Sequence, residues 1–341
     1  MKEIRNAARA LAKGSCRVCP VCDGRACAGE VPGMGGAGSG AAFAANIAAL
    51  ASLRLAPRLI HSVRQPKMGI SLLGLSLSLP LLIGPIGGIG FNLNGAVSEE
   101  EYQEAVVDGA LQAGIIAGLP DAVNPEILRT GLACARRRGG KGIPFIKPWE
   151  PEPFEEKMDL AAAAGCALVG SDLDSVGLVT LTRQGHPVYP KSRRDLARMA
   201  DMAHSRSLRF LIKGIMAVED AIICLEAGVD GIIVGNHGGR VLDYAPGGAE
   251  ALPAIATAVS GRMALLADGG IRGGVDILKM LALGADAVLI GRPYAIAAIG
   301  GGAEGVALYT QMCREQLEQA MVMTGCADVA LAGPHLLFPG R

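Results

Sequence analysis

From residue 79 onward, short apolar runs alternate with segments whose apolar positions recur at the helical period. The apolar runs fit eight strands, at 79–83, 115–119, 144–147, 167–171, 210–213, 231–235, 264–268 and 287–290. Helix-start signals stand between them, at Ser98 with Glu101, Asn124 with Pro125, and Ser192 with Asp195. This alternation predicts successive βα units and therefore a parallel sheet.

A weak internal repeat indicates that this sheet closes on itself. Gly114, Gly165, Gly228 and Gly284 each precede an apolar run that ends in glycine, and they are 51, 63 and 56 residues apart. Each step is close to two βα units, as an eightfold barrel requires. An open doubly wound sheet is the alternative, but eight apolar strands buried on both faces favour closure. We therefore predict an α/β fold, a TIM (β/α)8 barrel over residues 79–341.

Residues 1–78 precede the first predicted barrel strand, and we expect them to form an extension packed on the barrel. The pattern predicts a short helix from Lys2 to Ala12 and a loop rich in cysteine and glycine from Cys16 to Gly40. A helix with a hairpin then occupies the segment from Ala41 to Leu79. We expect these additions to close the bottom of the barrel and to line its top.

Composition narrows the class of protein. Of 341 residues, 50% are hydrophobic and 19% charged, which is typical of a globular protein with a large core. Lys plus Arg and Asp plus Glu both count 32, so no net basic field favours nucleic acid or an anionic membrane. The most apolar stretch, 72–91, is interrupted by Pro80, Pro85 and several glycines, which argues against a membrane span. We expect small-molecule chemistry.

The chain shows no export signal, and most of its cysteines are scattered through apolar segments. These scattered residues are Cys134, Cys166, Cys224, Cys313 and Cys326. Small core residues of this kind are typical of a reducing compartment, so we expect a cytoplasmic protein.

Polar residues cluster where the predicted strands end, which is where TIM barrels carry their active sites. Glycines with Arg272 and Arg292 follow strands seven and eight and predict a phosphate cradle, because exposed N–H groups and guanidinium ions bind phosphate. Asp268 could accept a hydrogen bond from a ribityl or ribose hydroxyl. Lys213, at the end of strand five, could place a positive charge near a flavin ring.

His237 and Arg240 follow strand six and suit a different task. An arginine can hold a carboxylate through two hydrogen bonds while an imidazole removes a proton from the neighbouring hydroxyl or carbon. A 2-hydroxy acid has both groups. A lone histidine is more often a hydrogen-bonded core residue, but its combination with Arg240, Lys213 and two glycine-arginine sites favours catalysis.

The segment from Phe210 to Gly325 resembles the FMN-dependent 2-hydroxy-acid oxidases and dehydrogenases, a family that includes glycolate oxidase, lactate oxidase and flavin-dependent lactate dehydrogenase. The motifs that carry the resemblance are LIKGIMAVEDA, GVDGIIVGNHGGRVLD, LLADGGIRGG, VLIGRPY and QLEQAMVMTG. It implies that His237 is the catalytic base, that Arg240 binds the substrate carboxylate, and that Lys213 contacts the N1 and O2 region of the flavin. It also implies a homo-oligomer and an FMN site made of Pro85, Ile86, Gly87, Lys213, His237, Gly238, Asp268, Gly269, Gly270, Arg272, Gly291 and Arg292.

The first half of the chain departs from the family pattern around the substrate. The family carries a substrate-binding tyrosine in its N-terminal segment, whereas here no tyrosine precedes Tyr102. Lys147 and Trp149 stand where the third strand of the family presents Gln and Tyr. These differences bear on substrate range more than on the flavin site.

An aspartate after strand four orients the catalytic histidine in the family, and this chain offers both Asp172 and Asp174. Arg183 and His186, in the loop that follows, could supply the missing carboxylate contact. The alternative is that both belong to an ordinary solvated loop. The resemblance does not decide between these possibilities.

Cys16, Cys19, Cys22 and Cys27 form a C-x2-C-x2-C-x4-C run. The spacing is close to that of ferredoxin-type ligands, and zinc would also tolerate it. Reduced cysteines or redox disulfides are the alternatives. A cluster could pass electrons from the flavin to a partner and would favour a dehydrogenase over an oxidase. The electron acceptor stays open among oxygen, a quinone, a second protein and nicotinamide.

Other barrels share similar phosphate loops, so two other enzymes and a non-catalytic barrel are alternatives to oxidation of a hydroxy acid. Type 2 isopentenyl diphosphate isomerase would not need the pair of His237 and Arg240. Inosine monophosphate dehydrogenase would need a cysteine in the loop after strand six, where this sequence has none. A non-catalytic FMN-binding barrel is the other alternative, because the N-terminal tyrosine is missing.

Overall fold

A computed structural model describes residues 1–259 and 261–339 and shows a closed barrel of eight parallel strands. A short antiparallel hairpin, Ile70–Leu72 (β1) and Leu75–Leu77 (β2), precedes it. The barrel strands are Leu81–Ile83 (β3), Ile116–Pro120 (β4), Ile143–Ile146 (β5), Leu168–Asp172 (β6), Arg209–Ile215 (β7), Gly231–Val234 (β8), Ala264–Ala267 (β9) and Ala287–Ile290 (β10). Strands adjacent in sequence pair with each other, and β10 pairs with β3 to close the ring. The predicted TIM barrel is confirmed, and the open sheet is excluded.

Helices alternate with the strands as the pattern predicts. They are Lys2–Leu11 (α1), Ala41–Ser52 (α2), Ile89–Asn92 (α3), Glu99–Gln112 (α4), Pro125–Arg137 (α5), Pro151–Ala163 (α6), Val179–Arg183 (α7), Arg193–His204 (α8), Val218–Glu226 (α9), Gly248–Val259 (α10), Gly274–Ala282 (α11) and Arg292–Thr324 (α12). Ser98 and Ser192 both form capping boxes, and the Asn124 side chain accepts a hydrogen bond from the backbone of Glu126. The described residues contain no helix with the length and apolar character needed to cross a membrane.

The interior of the barrel is filled by alternate strand residues, which is how a small closed barrel excludes solvent. Leu82, Phe145 and Leu211 belong to this apolar cluster and are at most 1% exposed. Leu72 and Leu77 of the hairpin join the same cluster, and the hairpin leads directly into the N-terminal end of β3. The hairpin therefore closes the N-terminal end of the barrel and leaves the C-terminal end for a site.

The rest of the N-terminal segment reaches the side and the C-terminal mouth of the barrel. Helix α1 crosses α12 closely, since a Cβ on Gly300 would lie 2.0 Å from the carbonyl oxygen of Ile4. At the mouth, the backbone N–H of Ala37 donates to the carbonyl of Gly239 at 2.8 Å. The loop between α1 and α2 therefore covers the end of the barrel at which the candidate site residues lie.

Candidate active site

A cavity of about 690 Å³ opens at the C-terminal ends of the strands. Its size lies within the range typical of small-molecule and cofactor sites. Most of the predicted catalytic and cofactor residues line it, namely Pro85, Ile86, Gly87, Asp172, Lys213, His237, Gly238, Arg240, Asp268, Gly269, Gly270, Arg272, Gly291 and Arg292. Asp174 is the exception and contacts His237 from behind the cavity wall. The strand ends thus bring the predicted residues to one place.

The loop after β8 holds His237 in an unusual backbone conformation. His237 has φ of 55°, and Gly238 and Gly239 follow with φ of 63° and 80°. A left-handed histidine is uncommon and costs on the order of 1 to 3 kcal/mol, so its surroundings must hold it there. Asn236 does so, because its side-chain oxygen accepts from the backbone N–H of Gly239 at 3.0 Å and from Asn46 at 2.7 Å.

His237 is backed by two carboxylates. Its Nδ1 lies 2.9 Å from Oδ1 of Asp174 and 3.8 Å from Oδ2 of Asp172, so Asp174 is the hydrogen-bond partner. Burial lowers the pKa of His237 and outweighs the nearby Asp174 carboxylate, which raises it. Burial opposes ionisation of Asp174 too, but Lys213 and His237 hold the pKa of that carboxyl below its usual value. An ionised Asp174 selects the tautomer with hydrogen on Nδ1, which leaves Nε2 able to accept a proton.

Arg240 carries a buried charge without a carboxylate partner in the described part of the chain. Its guanidinium donates to the carbonyl of Gly33 and, at 3.2 Å, to Oδ1 of Asn92. Burial lowers the pKa of Arg240 to about 10, although Cys27 raises it. Because a buried cation is costly without an anion, a ligand carboxylate would stabilise this site.

Lys213 and Asp268 form an ion pair at the centre of the cavity, with Nζ 3.0 Å from Oδ2. Burial alone would lower the pKa of Lys213, but Asp268 and Asp174 outweigh it and raise the pKa, so the amine is protonated. Oδ1 of Asp268 is buried with no hydrogen-bond partner among the described residues, and Nζ of Lys213 has none of good geometry. Such orphaned polar atoms are rare in folded proteins and indicate a missing ligand.

Arg292 is held entirely by backbone carbonyls. Its three nitrogens donate to Met34 at 2.8 Å, Gly238 at 3.0 Å and Gly35 at 3.0 Å, and its guanidinium stacks 4.0 Å from the Phe43 ring centre. These contacts fix the position of the charge but do not neutralise it.

Arg272 lies beside Arg292 and adds a second uncompensated charge. Its Nη2 donates to the carbonyl of Cys22 at 3.1 Å, while its Nε is buried without a partner in the described structure. Burial, Arg240 and Arg272 together lower the pKa of Arg292 to about 9, against Cys22 and Cys27, which raise it. Two neighbouring guanidinium groups, neither with a carboxylate partner among the described residues, fit a phosphate group.

The features of this cavity fit FMN. The arginine pair can take the phosphate, the free Oδ1 of Asp268 can accept from a hydroxyl, and the Lys213 ammonium can meet the polar edge of a flavin. Gly235 allows this arrangement, because a Cβ there would lie 1.6 Å from Oδ1 of Asp268. The fit rests on charges and unpaired atoms of the chain itself.

Lys147 and Trp149 have different positions at the site. Lys147 lines the cavity and its Nζ lies 2.5 Å from Oδ2 of Asp172. Trp149 does not line it, and its Nε1 donates to Oδ2 of Asp121 at 2.6 Å. The same Asp121 oxygen accepts from the backbone N–H of Lys147 at 2.9 Å. Asp121 thus fixes both residues, and only Lys147 contributes a charged group to the cavity.

Arg183 and His186 are exposed and do not line the cavity, so the structure gives them no contact with the site. The residues that do hold the arginines and the His237 loop are Phe43, Asn46 and Asn92, none of which the sequence analysis singled out. Asn46 left a signal, since it is the only polar side chain within residues 41–51. A single buried amide on an apolar helix must have a partner, and here the partner is Asn236.

The four N-terminal cysteines lie outside this cavity. Cys16, Cys19, Cys22 and Cys27 line a second, much smaller cavity in the loop that covers the barrel mouth. Met34 and Arg292 line both cavities, so the two sites adjoin at the arginine pair.

Comparison with known proteins gives consistent matches over nearly the whole chain. The family model of FMN-dependent dehydrogenases matches residues 33–192 and 186–339. L-lactate oxidase of Alicycliphilus denitrificans is 35% identical over 332 residues, covering 87% of this chain and 88% of the relative. 4-Hydroxymandelate oxidase of Amycolatopsis orientalis is 32% identical over 328 residues, covering 87% and 90%. The crystal structure of mandelate oxidase with (S)-2-phenylpropionate matches with a TM-score of 0.75 and 28% identity, covering 99% and 97%.

Proposed function

Because the chain belongs to the family of FMN-dependent dehydrogenases, we propose that it oxidises a small 2-hydroxy acid to the 2-oxo acid, with His237 as base and Arg240 as carboxylate anchor. Its relatives include L-lactate oxidases and a 4-hydroxymandelate oxidase. The observation that carries the proposal is a juxtaposition. His237, which is backed by Asp174, and Arg240, which has no carboxylate partner among the described residues, line the same cavity as the residues that would hold FMN.

The residues that would hold FMN divide by chemistry. Arg272 and Arg292 would bind the phosphate, and Gly269 and Gly270 line the same cavity, where their lack of side chains lets Asn46 of α2 pack against them. Asp268 would accept from a ribityl hydroxyl through Oδ1, which has no partner among the described residues, and Lys213 would supply a positive charge to the flavin ring. Bound FMN supplies the acceptor for the two electrons that leave the substrate.

Arg240 and His237 act on the substrate. The guanidinium binds the carboxylate of the acid, which supplies the anion that this buried cation lacks. With its carboxylate held in this way, the acid presents its hydroxyl to His237. The hydroxyl meets Nε2, because Nδ1 is hydrogen-bonded to Asp174. Orientation of this kind confines the acid to one geometry and lowers the entropy cost of reaction.

His237 then takes the hydroxyl proton. It is neutral before the reaction because burial lowers its pKa, and Asp174 stabilises the imidazolium that forms. A positioned general base of this kind contributes roughly 100-fold to 10,000-fold to the rate. Asp172 lies 3.8 Å from the same nitrogen and pairs with Lys147 at 2.5 Å, so it acts on His237 only at longer range.

The experiment that tests this function is an anaerobic absorbance titration. Purified protein is scanned for flavin bands and then mixed with glycolate, lactate, mandelate and longer 2-hydroxy acids. Bleaching by at least one acid, with the matching 2-oxo acid as product, is the expected result. Flavin bands that none of these acids bleaches would contradict the proposed reaction and favour a different substrate or a non-catalytic FMN barrel.

Three features of the working enzyme stay predictions from the sequence. We propose a homo-oligomer by analogy with the family, which light scattering of the purified protein would measure. We also propose a cytoplasmic location, which is supported by the five scattered cysteines, because all five are buried and form no disulfide in the described structure. The electron acceptor would be identified by the compound that reoxidises the reduced enzyme at the highest rate.

A further inference from the structure

Four free cysteines lie in the loop that covers the barrel mouth. Cys16, Cys19, Cys22 and Cys27 are all partly buried, none forms a disulfide, and all four line one cavity together with Arg292 and Met34. They precede residue 33, where the match to the family model begins, so the family does not account for them. Four thiols that are close in sequence and line one cavity are typical of a set of metal ligands.

The loop itself has little regular structure to hold it. Between α1 and α2 its helical content is one short 3-10 turn, Arg25–Cys27. It is tied instead by hydrogen bonds from its neighbours, because Arg9 donates to the carbonyl of Val18 at 2.8 Å and Arg17 pairs with Glu30. A small segment without an apolar core of its own is typically stabilised by a disulfide or a bound metal.

The charge at this place also favours a thiolate centre. Arg272 and Arg292 lie against the cysteines, and Nη2 of Arg272 is 3.1 Å from the Cys22 carbonyl and 3.6 Å from its sulfur. Metal binding requires deprotonated thiols, and their negative charge would lie beside Arg272 and Arg292, so these two arginines would face thiolates on one side and the phosphate of the cofactor on the other. A guanidinium N–H directed at a ligand sulfur is a stabilising contact for such a centre.

The four sulfurs, as the structure places them, do not form a site for a single ion. Zinc holds its sulfurs at about 2.3 Å, which brings all four within about 4 Å of one another. Among the described residues, the one set of three or more candidate ligand atoms within 4.8 Å of one another is Asp172, Asp174 and His237. The cysteine sulfurs are therefore more widely spaced than one ion requires. In an iron–sulfur cubane each thiolate binds a different iron atom, so the sulfurs stand farther apart.

We propose that Cys16, Cys19, Cys22 and Cys27 bind a [4Fe–4S] cluster beside the phosphate end of the FMN site. The enclosed part of the cavity is about 20 Å³, which holds about one water molecule, so the loop that carries the cysteines would have to move outward to admit the cluster. This proposal adds a second binding site to the proposed function and does not depend on which substrate the enzyme oxidises.

The position of the cluster suits an exit for electrons, a role that rests on the proposed function. The substrate loses two electrons and two protons, and a cluster carries one electron at a time without a proton. The pair would therefore leave in two transfers to an external one-electron carrier protein, and both protons would pass to solvent. This path makes the enzyme a dehydrogenase rather than an oxidase.

The test uses the full chain purified without oxygen. Iron, acid-labile sulfide, zinc and FMN are measured per chain, and electron paramagnetic resonance spectra are recorded before and after reduction with dithionite. We expect about four iron atoms and four sulfides per chain, and a reduced-cluster signal at low temperature. Stoichiometric zinc without sulfide, or no metal at all, overturns the cluster.

A matched pair of variants locates the ligands. Cys19→Ala should lose most of the iron and sulfide, whereas Cys326→Ala, a buried cysteine beyond α12, should keep both. Equal iron contents in the two variants would overturn the assignment of Cys19 as a ligand. If Cys19→Ala fails to fold, the iron and sulfide contents of the unaltered chain decide whether the cluster is present. If the protein contains no iron but its FMN is bleached by a hydroxy acid, the cluster is overturned and the proposed function stands. If the protein contains iron and sulfide but no acid bleaches its flavin, the proposed function is overturned and the cluster stands.

Discussion

Asp174 Oδ1 lies 2.9 Å from Nδ1 of His237, although 63 residues separate the two in sequence. The contact joins the loop after β6 to the loop after β8, and β7 between them contributes Lys213, whose Nζ is 3.9 Å from Oδ2 of Asp174. Asp174 therefore both orients the imidazole and links it to the ammonium group of the cofactor site. Tests of the site can begin from this contact.

Replacement of the base should separate catalysis from cofactor binding. His237→Ala should keep most of its FMN, because the phosphate and ribityl contacts are made by other residues, yet lose roughly 100-fold to 10,000-fold in the rate of flavin reduction. Stopped-flow absorbance with saturating hydroxy acid measures this rate. His204→Ala is the control, since His204 is partly exposed and pairs with Asp230 on the outside of the barrel. A His237→Ala rate within a few-fold of the control rate would refute the assignment.

The pH profile reports the protonation state of the same histidine. Because burial lowers the pKa of His237 below the usual 6.5, kcat/KM should stay high at neutral pH and fall on the acid side with a midpoint below 6.5. The direction follows because the neutral imidazole is the active form and acid protonates it. A midpoint above 6.5 would mean that the charge of Asp174 outweighs burial.

Asp174→Asn tests the positioning role of the carboxylate. Loss of its negative charge removes a contribution that raises the pKa of His237, so the acid midpoint should move to lower pH while the rate at neutral pH falls at least 10-fold. FMN content should change little, because Asp174 does not line the cavity. An unchanged midpoint together with a reduced rate would indicate that Asp174 only supports the loop.

The arginine pair should control cofactor retention. Arg272→Ala removes a charge-assisted contact worth about 1.5 to 3 kcal/mol, so the Kd for FMN should rise roughly 10-fold to 100-fold. Isothermal titration of FMN into the flavin-free protein measures it. Arg193→Ala serves as control, because that side chain pairs with Glu226 at the exposed surface. Equal affinities in the two variants would remove Arg272 from the phosphate site.

Gly235→Ala tests the close approach between β8 and Asp268. The added Cβ would lie 1.6 Å from Oδ1 of Asp268, so the carboxylate must move and its pair with Lys213 is disturbed. We expect a lower Tm and weaker FMN binding, measured by thermal unfolding with and without added FMN. Gly90→Ala is the control for folding, since a Cβ there meets nothing within 4 Å and its φ is not positive. A Gly235→Ala protein as stable as Gly90→Ala would show that Asp268 relaxes without cost.

The sequence predicted the barrel well because its signals are local and repeated. Each strand is an apolar run of a few residues, and the capping boxes at Ser98 and Ser192 lie within four residues of chain. The residues at the strand ends could also be placed, because a closed parallel barrel brings all C-terminal strand ends to one mouth. The common cavity of His237, Arg240 and Arg292 could therefore be predicted without knowing any side-chain contact.

What only the tertiary structure decided depends on contacts between distant segments. Asn46 and Asn236 are 190 residues apart, and Arg240 and Asn92 are 148 apart, so no local pattern could pair them. The choice of Asp174 over Asp172 as the hydrogen-bond partner required the path of the chain after β6, which turns both side chains toward His237 at different distances.

By itself, then, the sequence determined which residue types stand at the mouth of the barrel, since strand order and strand ends follow from the spacing of apolar runs. The tertiary structure decided which of those groups remain without partners. Among the described residues, Arg272 Nε and Asp268 Oδ1 are buried and have no hydrogen-bond partner. Whether a buried charge or polar atom is satisfied depends on three-dimensional neighbours, and these unsatisfied groups indicate where a phosphate and a hydroxyl belong.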